Sequence, residues 1–356
     1  MQDSGGPTAA GAAHLRRFRR LAEATAAVTF LLIVVGGIVR VSDSGLGCGP
    51  AGSGSHGWPL CGGQVIPLIG DINRVVEFTH RVLAAVVVAM IGLLAYRAYK
   101  GLRELRWPLR GSIAAGVLVL LQAGLGGLTV EYNLDEELVA AHLCLAMVLI
   151  GLLLWLVVRA RAEESAVSGP QPSAPPAEAP AEVPGLRPFA VAAVVLLLSA
   201  IVAGGYVAGT EKEGAENHSG VGAHLACGEG LDAFPACLDG RVLPFGESRL
   251  TDIHLTHRAL VYLATAAILL LIGIALKRGS RSRLLALAAA LLLIQLLLGA
   301  LNVWLGEHPT LIVAHLAIAT LLWSAVLAIA YTLAFAPERA GAMRRAPLAE
   351  TSTAAA

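Results

Sequence analysis

Glu77-Phe78-Thr79-His80-Arg81 lies near the start of a long apolar segment, and the chain repeats it as His254-Leu255-Thr256-His257-Arg258 near the start of another. Each copy follows a Gly-Gly pair and a loop with two cysteines, and each precedes a segment with Gln and a segment with His. The first copy comprises Gly36-Gly37, Cys48, Cys61, Gln122 and His142, and the second comprises Gly204-Gly205, Cys227, Cys237, Gln295 and His315. Self-similarity on this scale indicates an internal duplication.

The composition indicates an integral membrane protein. Hydrophobic residues make up 56% of the chain and charged residues 14%, and the apolar blocks are long enough to cross a bilayer as helices. The predicted fold is an all-α membrane protein with eight transmembrane helices, arranged as two tandem pseudo-symmetric four-helix bundles. The predicted spans are Ala22–Val41, Val75–Tyr96, Ser112–Val130, Leu138–Val158, Phe189–Ala208, Ile253–Leu276, Leu284–Leu305 and Leu311–Phe335.

The predicted domain boundaries follow from these spans. The first span is a full-length apolar stretch without a small-residue cleavage site, which favours a helix over a signal peptide. A stretch rich in Pro, Ala, Glu and Ser between the halves cannot bury a core and is typical of a disordered linker. The predicted parts are an N-terminal arm (1–21), an N-terminal bundle (22–159), a linker (160–187), a C-terminal bundle (188–336) and a disordered tail (337–356).

The basic residues predict the orientation. If the N-terminus is inside, 19 of the 26 Lys and Arg residues fall in cytoplasmic segments and 5 in outer loops. Because Lys and Arg in short loops stay on the cytoplasmic side, both termini are expected there, in a plasma membrane of bacterial type. An even number of helices in each half then makes the two halves parallel.

Four histidines are predicted to lie inside the spans: His80, His142, His257 and His315. An ionisable side chain in hydrocarbon is costly and therefore indicates function. Within each half, the two histidines lie at similar depth on the second and fourth helices. This placement is typical of axial ligands to a haem iron in a bundle core. The alternative is four unrelated histidines hydrogen-bonded to the backbone or to hydroxyl groups.

Three further polar residues lie beside these histidines. Arg81 and Arg258 each follow one directly, and a guanidinium there is suited to pair with a haem propionate; the alternative is snorkelling to the headgroups. Glu77 lies one helical turn before His80, whereas its counterpart in the second half is His254. A carboxylate in one half only predicts proton transfer or charge stabilisation there, against the alternative of an interfacial residue without a role.

Four of the five cysteines lie in two outer loops, on the side of the membrane where disulfides persist. Each pair closes a short loop, so the simplest prediction is two disulfides, Cys48–Cys61 and Cys227–Cys237. Thiol pairs that open and close during turnover are the alternative. Cys144 lies in a span, where a small buried residue is expected.

Taken together, these motifs resemble the haem A synthase family. The resemblance covers residues 17–335 and rests on Gly36-Gly37-Ile38-Val39-Arg40, on Ser44-Gly45-Leu46-Gly47-Cys48 with Trp58-Pro59-Leu60-Cys61, and on the Glu77–Arg81 segment. The chain departs from the family pattern at one place, where Gly49 to Gly57 form an insertion between the first two cysteines.

The resemblance implies an enzyme that oxidises the C8 methyl of haem O to a formyl by successive hydroxylations and loss of water. It implies that the N-terminal half holds substrate haem O between His80 and His142, and that the C-terminal half holds a permanent haem b between His257 and His315. Glu77 would be the catalytic carboxylate, and the cysteines would serve structure or electron flow.

The implied partners are haem O and the membrane enzyme that makes it. The electron acceptor is undetermined, and no nucleic-acid partner is expected. The question of a homo-oligomer stays open. Two other functions remain at this stage. A b-type electron-transfer cytochrome would use the same histidines without substrate chemistry. A transporter built from parallel repeats would use them to relay protons.

Overall fold

Eight long α-helices make up most of the chain in the computed structural model, which describes residues 9–67, 70–168, 185–210, 222–306 and 308–335. The helices are α1 (Ala9–Val41), α2 (Ile72–Gly101), α3 (Arg106–Glu131), α4 (Glu136–Ser168), α5 (Arg187–Gly209), α6 (Arg249–Lys277), α7 (Arg283–Trp304) and α8 (Pro309–Phe335). The described loops contain short 3₁₀ turns and an isolated Cys61–Gln64 bridge, but no β-strand.

All eight helices are long and apolar enough to cross a membrane, which confirms the predicted number of spans. Five of the described helix starts have a capping side chain that accepts a backbone N–H of the first turn, as helix N-termini require. Asp71 caps α2, Asp135 caps α4, Ser248 caps α6, Ser282 caps α7 and His308 caps α8.

The helices of each half contact one another in a ring. In the first half α1 and α3 both contact α2 and α4, and in the second half α5 and α7 both contact α6 and α8. The two halves meet where α4 packs against α5 and α8, and where α1 packs against α8. These contacts support the predicted arrangement as two tandem bundles.

The boundary between the halves is closely packed. The buried core of the second half includes Met147 of the first. Two side chains of α8 also donate hydrogen bonds to α4 backbone carbonyls: Trp323 Nε1 to Met147 (2.9 Å) and Tyr331 Oη to Gly151 (3.1 Å). Buried donors that find partners in the opposite half fix the position of α8 on α4.

Two helices extend beyond the boundaries expected from hydropathy. Helix α1 begins within the predicted arm, and α4 continues past position 160, where the linker was expected to start. Ion pairs between the two helices account for this: Arg19 contacts Glu164 at 3.0 Å, and Arg161 contacts Glu23 at 2.7 Å. Residues 169–184 and 336–356, which include most of the predicted linker and the whole tail, lie outside the described residues.

Candidate functional site

The four histidines form two pairs, one in each half. His80 on α2 interacts electrostatically with His142 on α4, and His257 on α6 does so with His315 on α8. All four side chains are only partly buried although they lie inside helix bundles. The two halves thus present matching sites, each with a pair of neighbouring imidazoles.

A glycine on the preceding helix makes room for each histidine. A Cβ atom on Gly36, Gly126, Gly204 or Gly299 would lie 3.1, 3.1, 2.9 or 3.3 Å from Cε1 of His80, His142, His257 or His315, respectively. Contacts this short leave no space for a side chain. The four glycines therefore fix how close each imidazole lies to the neighbouring helix.

The hydrogen bonding of one of these imidazoles, His257, fits metal ligation through Nε2. His257 Nδ1 lies 2.9 Å from the carbonyl oxygen of Ala200, and such a bond directs the lone pair to Nε2, as second-shell partners of histidine ligands do. The Nδ1 atoms of His80, His142 and His315 are buried without a hydrogen bond among the described residues.

Two glutamines at equivalent positions of α3 and α7 contact the fourth-helix histidines differently. Gln122 Nε2 donates to the backbone carbonyl of His142 at 2.9 Å, whereas Gln295 Nε2 donates to His315 Nε2 at 3.1 Å. Iron ligation by His315 therefore requires the Gln295 amide to turn away. Both glutamines thus link the third helix of a half to its fourth helix.

Glu77 is buried, with 4% of its surface exposed, and is not a headgroup-facing residue. Its Oε2 accepts the backbone N–H of Cys48 at 2.7 Å, and its Oε1 pairs with Arg81. Arg81 also donates to the backbone carbonyl of Leu60 at 2.8 Å. The carboxylate and the guanidinium together link α2 to both sides of the first cysteine loop.

The second half repeats this arrangement without a carboxylate. His254 is 6% exposed, and its Nδ1 donates to the carbonyl of Ala223 at 2.6 Å. Arg258 donates to the carbonyl of Ala236 at 2.8 Å and lies over the ring of Phe234. Its Nη2 is buried without a hydrogen bond, and no described acidic residue forms an ion pair with it.

The structure contains two disulfides, Cys48–Cys61 and Cys227–Cys237, with Cα–Cα distances of 4.4 and 4.7 Å. The insertion in the first loop folds back on the end of α3, where Glu131 accepts the backbone N–H of Gly54 at 3.1 Å. The extra residues are thereby accommodated without separating the cysteines.

His224 stands at the boundary of the halves, in the second cysteine loop. Burial and the nearby Arg40 guanidinium lower the pKa of His224 to about 4. Arg40, on α1, donates to the carbonyl of Ala208 on α5 at 2.7 Å. The C-terminal end of α1 thus contacts the second half near its cysteine loop.

Sequence reasoning also overlooked one part of the repeat. Trp58-Pro59-Leu60-Cys61 has an equivalent in Phe234-Pro235-Ala236-Cys237, and both Pro residues follow cis peptide bonds. The aligned aromatic-Pro-x-Cys pattern was the signal that could have shown this. Trp58 packs against α3 at Gly127, and Phe234 packs against Trp304 of α7.

Comparison with known proteins gives the family. The family model COX15-CtaA, described as cytochrome oxidase assembly protein, matches residues 19–327. The chain belongs to this family. The match extends from α1 into α8 and includes every candidate site residue.

Several curated relatives support membership of the COX15-CtaA family, and each is named heme A synthase. The protein of Alkalihalophilus pseudofirmus is 27% identical over 277 residues, which cover 78% of this chain and 82% of the relative. That of Shouchella clausii is 26% identical, covering 77% and 81%, and that of Halalkalibacterium halodurans is 26% identical, covering 69% and 70%.

Proposed function

We propose that this protein is a haem A synthase, an oxidoreductase that converts the C8 methyl of haem O to a formyl. One observation carries the proposal: two bundles have matched histidine pairs, but among the described residues a buried carboxylate, Glu77, stands beside the pair in the first bundle only. Two identical sites would suit an electron-transfer cytochrome, whereas one site with an acid and one without suit a substrate site beside a cofactor site.

The substrate site lies in the N-terminal half (22–159), with His80 and His142 as ligands of haem O. Oxidation of a methyl to a formyl proceeds by two hydroxylations and loss of water, and, balanced with water as the oxygen donor, it releases four electrons and four protons. Glu77 is the buried carboxylate in this half that exchanges those protons or stabilises positive charge. The donors from Cys48 and Arg81 hold its oxygens in place.

The cofactor site lies in the C-terminal half (188–336), with His257 and His315 as ligands of haem b. The glycine contacts at both histidines and the oriented Nδ1 of His257 fit this group. When bound there, haem b supplies one-electron transfer. The oxidation requires an electron acceptor outside the chain.

Arg258 is the better candidate for a propionate partner than Arg81. The Arg81 guanidinium already pairs with Glu77, whereas Arg258 keeps a buried Nη2 without a hydrogen bond. An anionic partner stabilises a buried cation more than an exposed one, because the buried cation lacks water to solvate it. This difference fits a second half that retains its haem and a first half that releases its product.

The charge distribution supports a plasma-membrane location with both termini in the cytoplasm. The histidine pairs then lie toward the outer face, below the two disulfide loops. The expected partner is the membrane enzyme that makes haem O, because so apolar a substrate passes most readily between membrane proteins.

Pigment analysis of the purified full-length protein tests the proposal. Protein made with a haem O source should contain haem b, haem O and haem A, and protein made without one should contain haem b alone. His80→Ala should lower the content of haem O and haem A, while His257→Ala should lower that of haem b. A preparation with haem b in both halves and no haem A would show a cytochrome, and one without haem would contradict both functions.

A further inference from the structure

The second glycine of each Gly-Gly pair contacts the opposite half of the molecule. A Cβ atom on Gly37 of α1 would lie 2.7 Å from Cδ2 of Leu316 on α8, and one on Gly205 of α5 would lie 2.8 Å from Cδ2 of Leu143 on α4. These two contacts are related by the internal duplication. They occur where α1 packs against α8 and α4 packs against α5.

Adjacent glycines therefore serve different sites. Gly36 and Gly204 each contact a histidine of their own half. Consecutive helix residues point about 100° apart, so Gly37 and Gly205 face out of their own bundle toward the other.

Each leucine directly follows a fourth-helix histidine. Leu143 comes after His142, and Leu316 comes after His315. A contact with either leucine thus acts on the helix turn that carries the neighbouring imidazole. Small residues at such a crossing set how closely the two helices approach.

We propose that the two leucines are positioning residues through which each half sets the fourth-helix ligand of the other. Gly205 acts through Leu143 on His142 of the substrate site, and Gly37 acts through Leu316 on His315 of the cofactor site. The identity of the two haems in this inference rests on the proposed function. The expectation that a glycine of one half affects the fourth-helix histidine of the other half, here called the crossed direction, does not depend on it.

The two contacts differ in how readily the contacted atoms can move away. A Cβ on Gly37 would meet only the flexible end of Leu316, whereas a Cβ on Gly205 would also lie 3.6 Å from the Cα of Ala140. One turn further along α5, a Cβ on Gly209 would lie 2.5 Å from the Cα of Glu136. The 3.6 Å distance is an ordinary van der Waals contact, but the methyl groups of a valine extend beyond its Cβ, and backbone cannot rotate away from them. Valine at Gly205 should therefore transmit a larger displacement than valine at Gly37.

Substitutions at adjacent glycines test the crossed direction in the full-length protein made with a haem O source. Gly205→Val should lower haem O bound per protein by about fivefold, within the range by which residues between two sites modulate coupling, and should leave haem b near the wild-type level. Gly204→Ala, one residue away, should instead lower haem b. Gly36→Ala and Gly37→Val should show the mirror pattern, with a smaller effect at Gly37.

A compensating substitution separates positioning from misfolding. Leu143→Ala removes the side chain that Gly205→Val displaces, so the double variant should recover haem O binding relative to Gly205→Val alone. Loss of haem b rather than haem O in Gly205→Val, or no recovery in the double variant, would overturn the inference. A wild-type protein without haem would instead overturn the proposed function.

Discussion

Glu77 and His254 occupy equivalent positions in the two halves, and their difference changes what each site can do. Both side chains are buried and both hydrogen-bond to the cysteine loop of their own half. A carboxylate and an imidazole can each hold a loop in place, but Glu77 also neutralises Arg81, whereas no acidic residue of the described part of the chain pairs with Arg258 beside His254. The difference at this one position thus changes both the acid of the site and the environment of the neighbouring arginine.

Glu77→Gln should separate binding from chemistry. The amide keeps the shape of the side chain but cannot take up a proton, so haem A formation should fall by at least about 100-fold, the lower end of what general acid–base groups contribute. Pigment extraction should show that haem O accumulates while haem b stays at the wild-type level.

Glu137→Gln is the matched control for this variant. Glu137 lies at the same end of the molecule and accepts a hydrogen bond from Tyr206, outside the histidine sites. The Glu137→Gln variant should retain haem A formation. Normal haem A yield from Glu77→Gln would remove this residue from the chemistry.

His224 should make the protein less stable as the pH falls. Its folded pKa is about 4, against an ordinary value of 6.5, so the unfolded chain binds the proton first. Stability is therefore complete above pH 6.5 and decreases as the pH falls toward 4. The Arg40 guanidinium lies near His224 and opposes its protonation.

Thermal unfolding in detergent between pH 7 and pH 4 measures this effect. His224→Gln should lose less stability over that interval than the wild type, because the amide does not titrate. His56→Gln, at an exposed position in the other cysteine loop, should follow the wild-type curve. Identical curves for all three proteins would contradict the prediction.

At the scale of the element, the two cysteine loops are built on one plan. Each begins with a 3₁₀ turn, at Ser44–Leu46 and Ala223–Leu225, and each ends at a disulfide whose preceding residue accepts a hydrogen bond from an α2 or α6 arginine. The loops thus lie against the polar residues that precede and follow the second-helix histidines. We therefore expect the structural order of each loop to affect the histidine pair of its own half.

Replacing both cysteines of one loop with serine should affect one half only. Loss of a disulfide that closes a loop of this length costs about 3 kcal/mol, and the freed loop no longer holds the polar residues of its helix. The Cys48/Cys61 double variant should lower haem A formation while retaining haem b, and the Cys227/Cys237 double variant should lower haem b retention. If both variants lost haem A and haem b equally, the result would contradict the idea that each cysteine loop supports only the site of its own half.

The sequence predicted the helices and the pairing of the histidines better than it predicted side-chain partners. Span number followed from hydropathy, and the histidine pairs followed from repeated motifs whose spacing the helix period preserves. The partner of Arg81 could not be predicted, because a guanidinium can pair equally well with the Glu77 carboxylate or with a haem propionate. The pairing with Glu77 depends on the position of the first cysteine loop, which binds both side chains. The role of the second glycine was also hidden, because Leu143 and Leu316 look like ordinary apolar residues.

At the scale of the whole molecule, the two halves form one body through contacts of several kinds. Helix α8 donates hydrogen bonds to α4, Arg40 binds the carbonyl of Ala208, and Arg249 of α6 pairs with Glu136 of α4 at 2.9 Å. The contacts extend from the ends of the helices near the cysteine loops to the middle of the helices. We therefore expect the halves to stay associated without the chain connection between them.

Cleavage between the halves tests both association and orientation. A protease site inserted between Ser168 and Gly185 should be cut in inverted membrane vesicles but not in intact spheroplasts, because the basic residues predict a cytoplasmic connection. After cleavage the two fragments should elute together in gel filtration and keep their haem b, since packed helix contacts hold them. A site placed after Gly52, in the outer insertion, is the control and should be cut only from the opposite side. Cleavage of the first site in spheroplasts would reverse the orientation, and separation of the fragments would show that the chain connection itself holds the halves together.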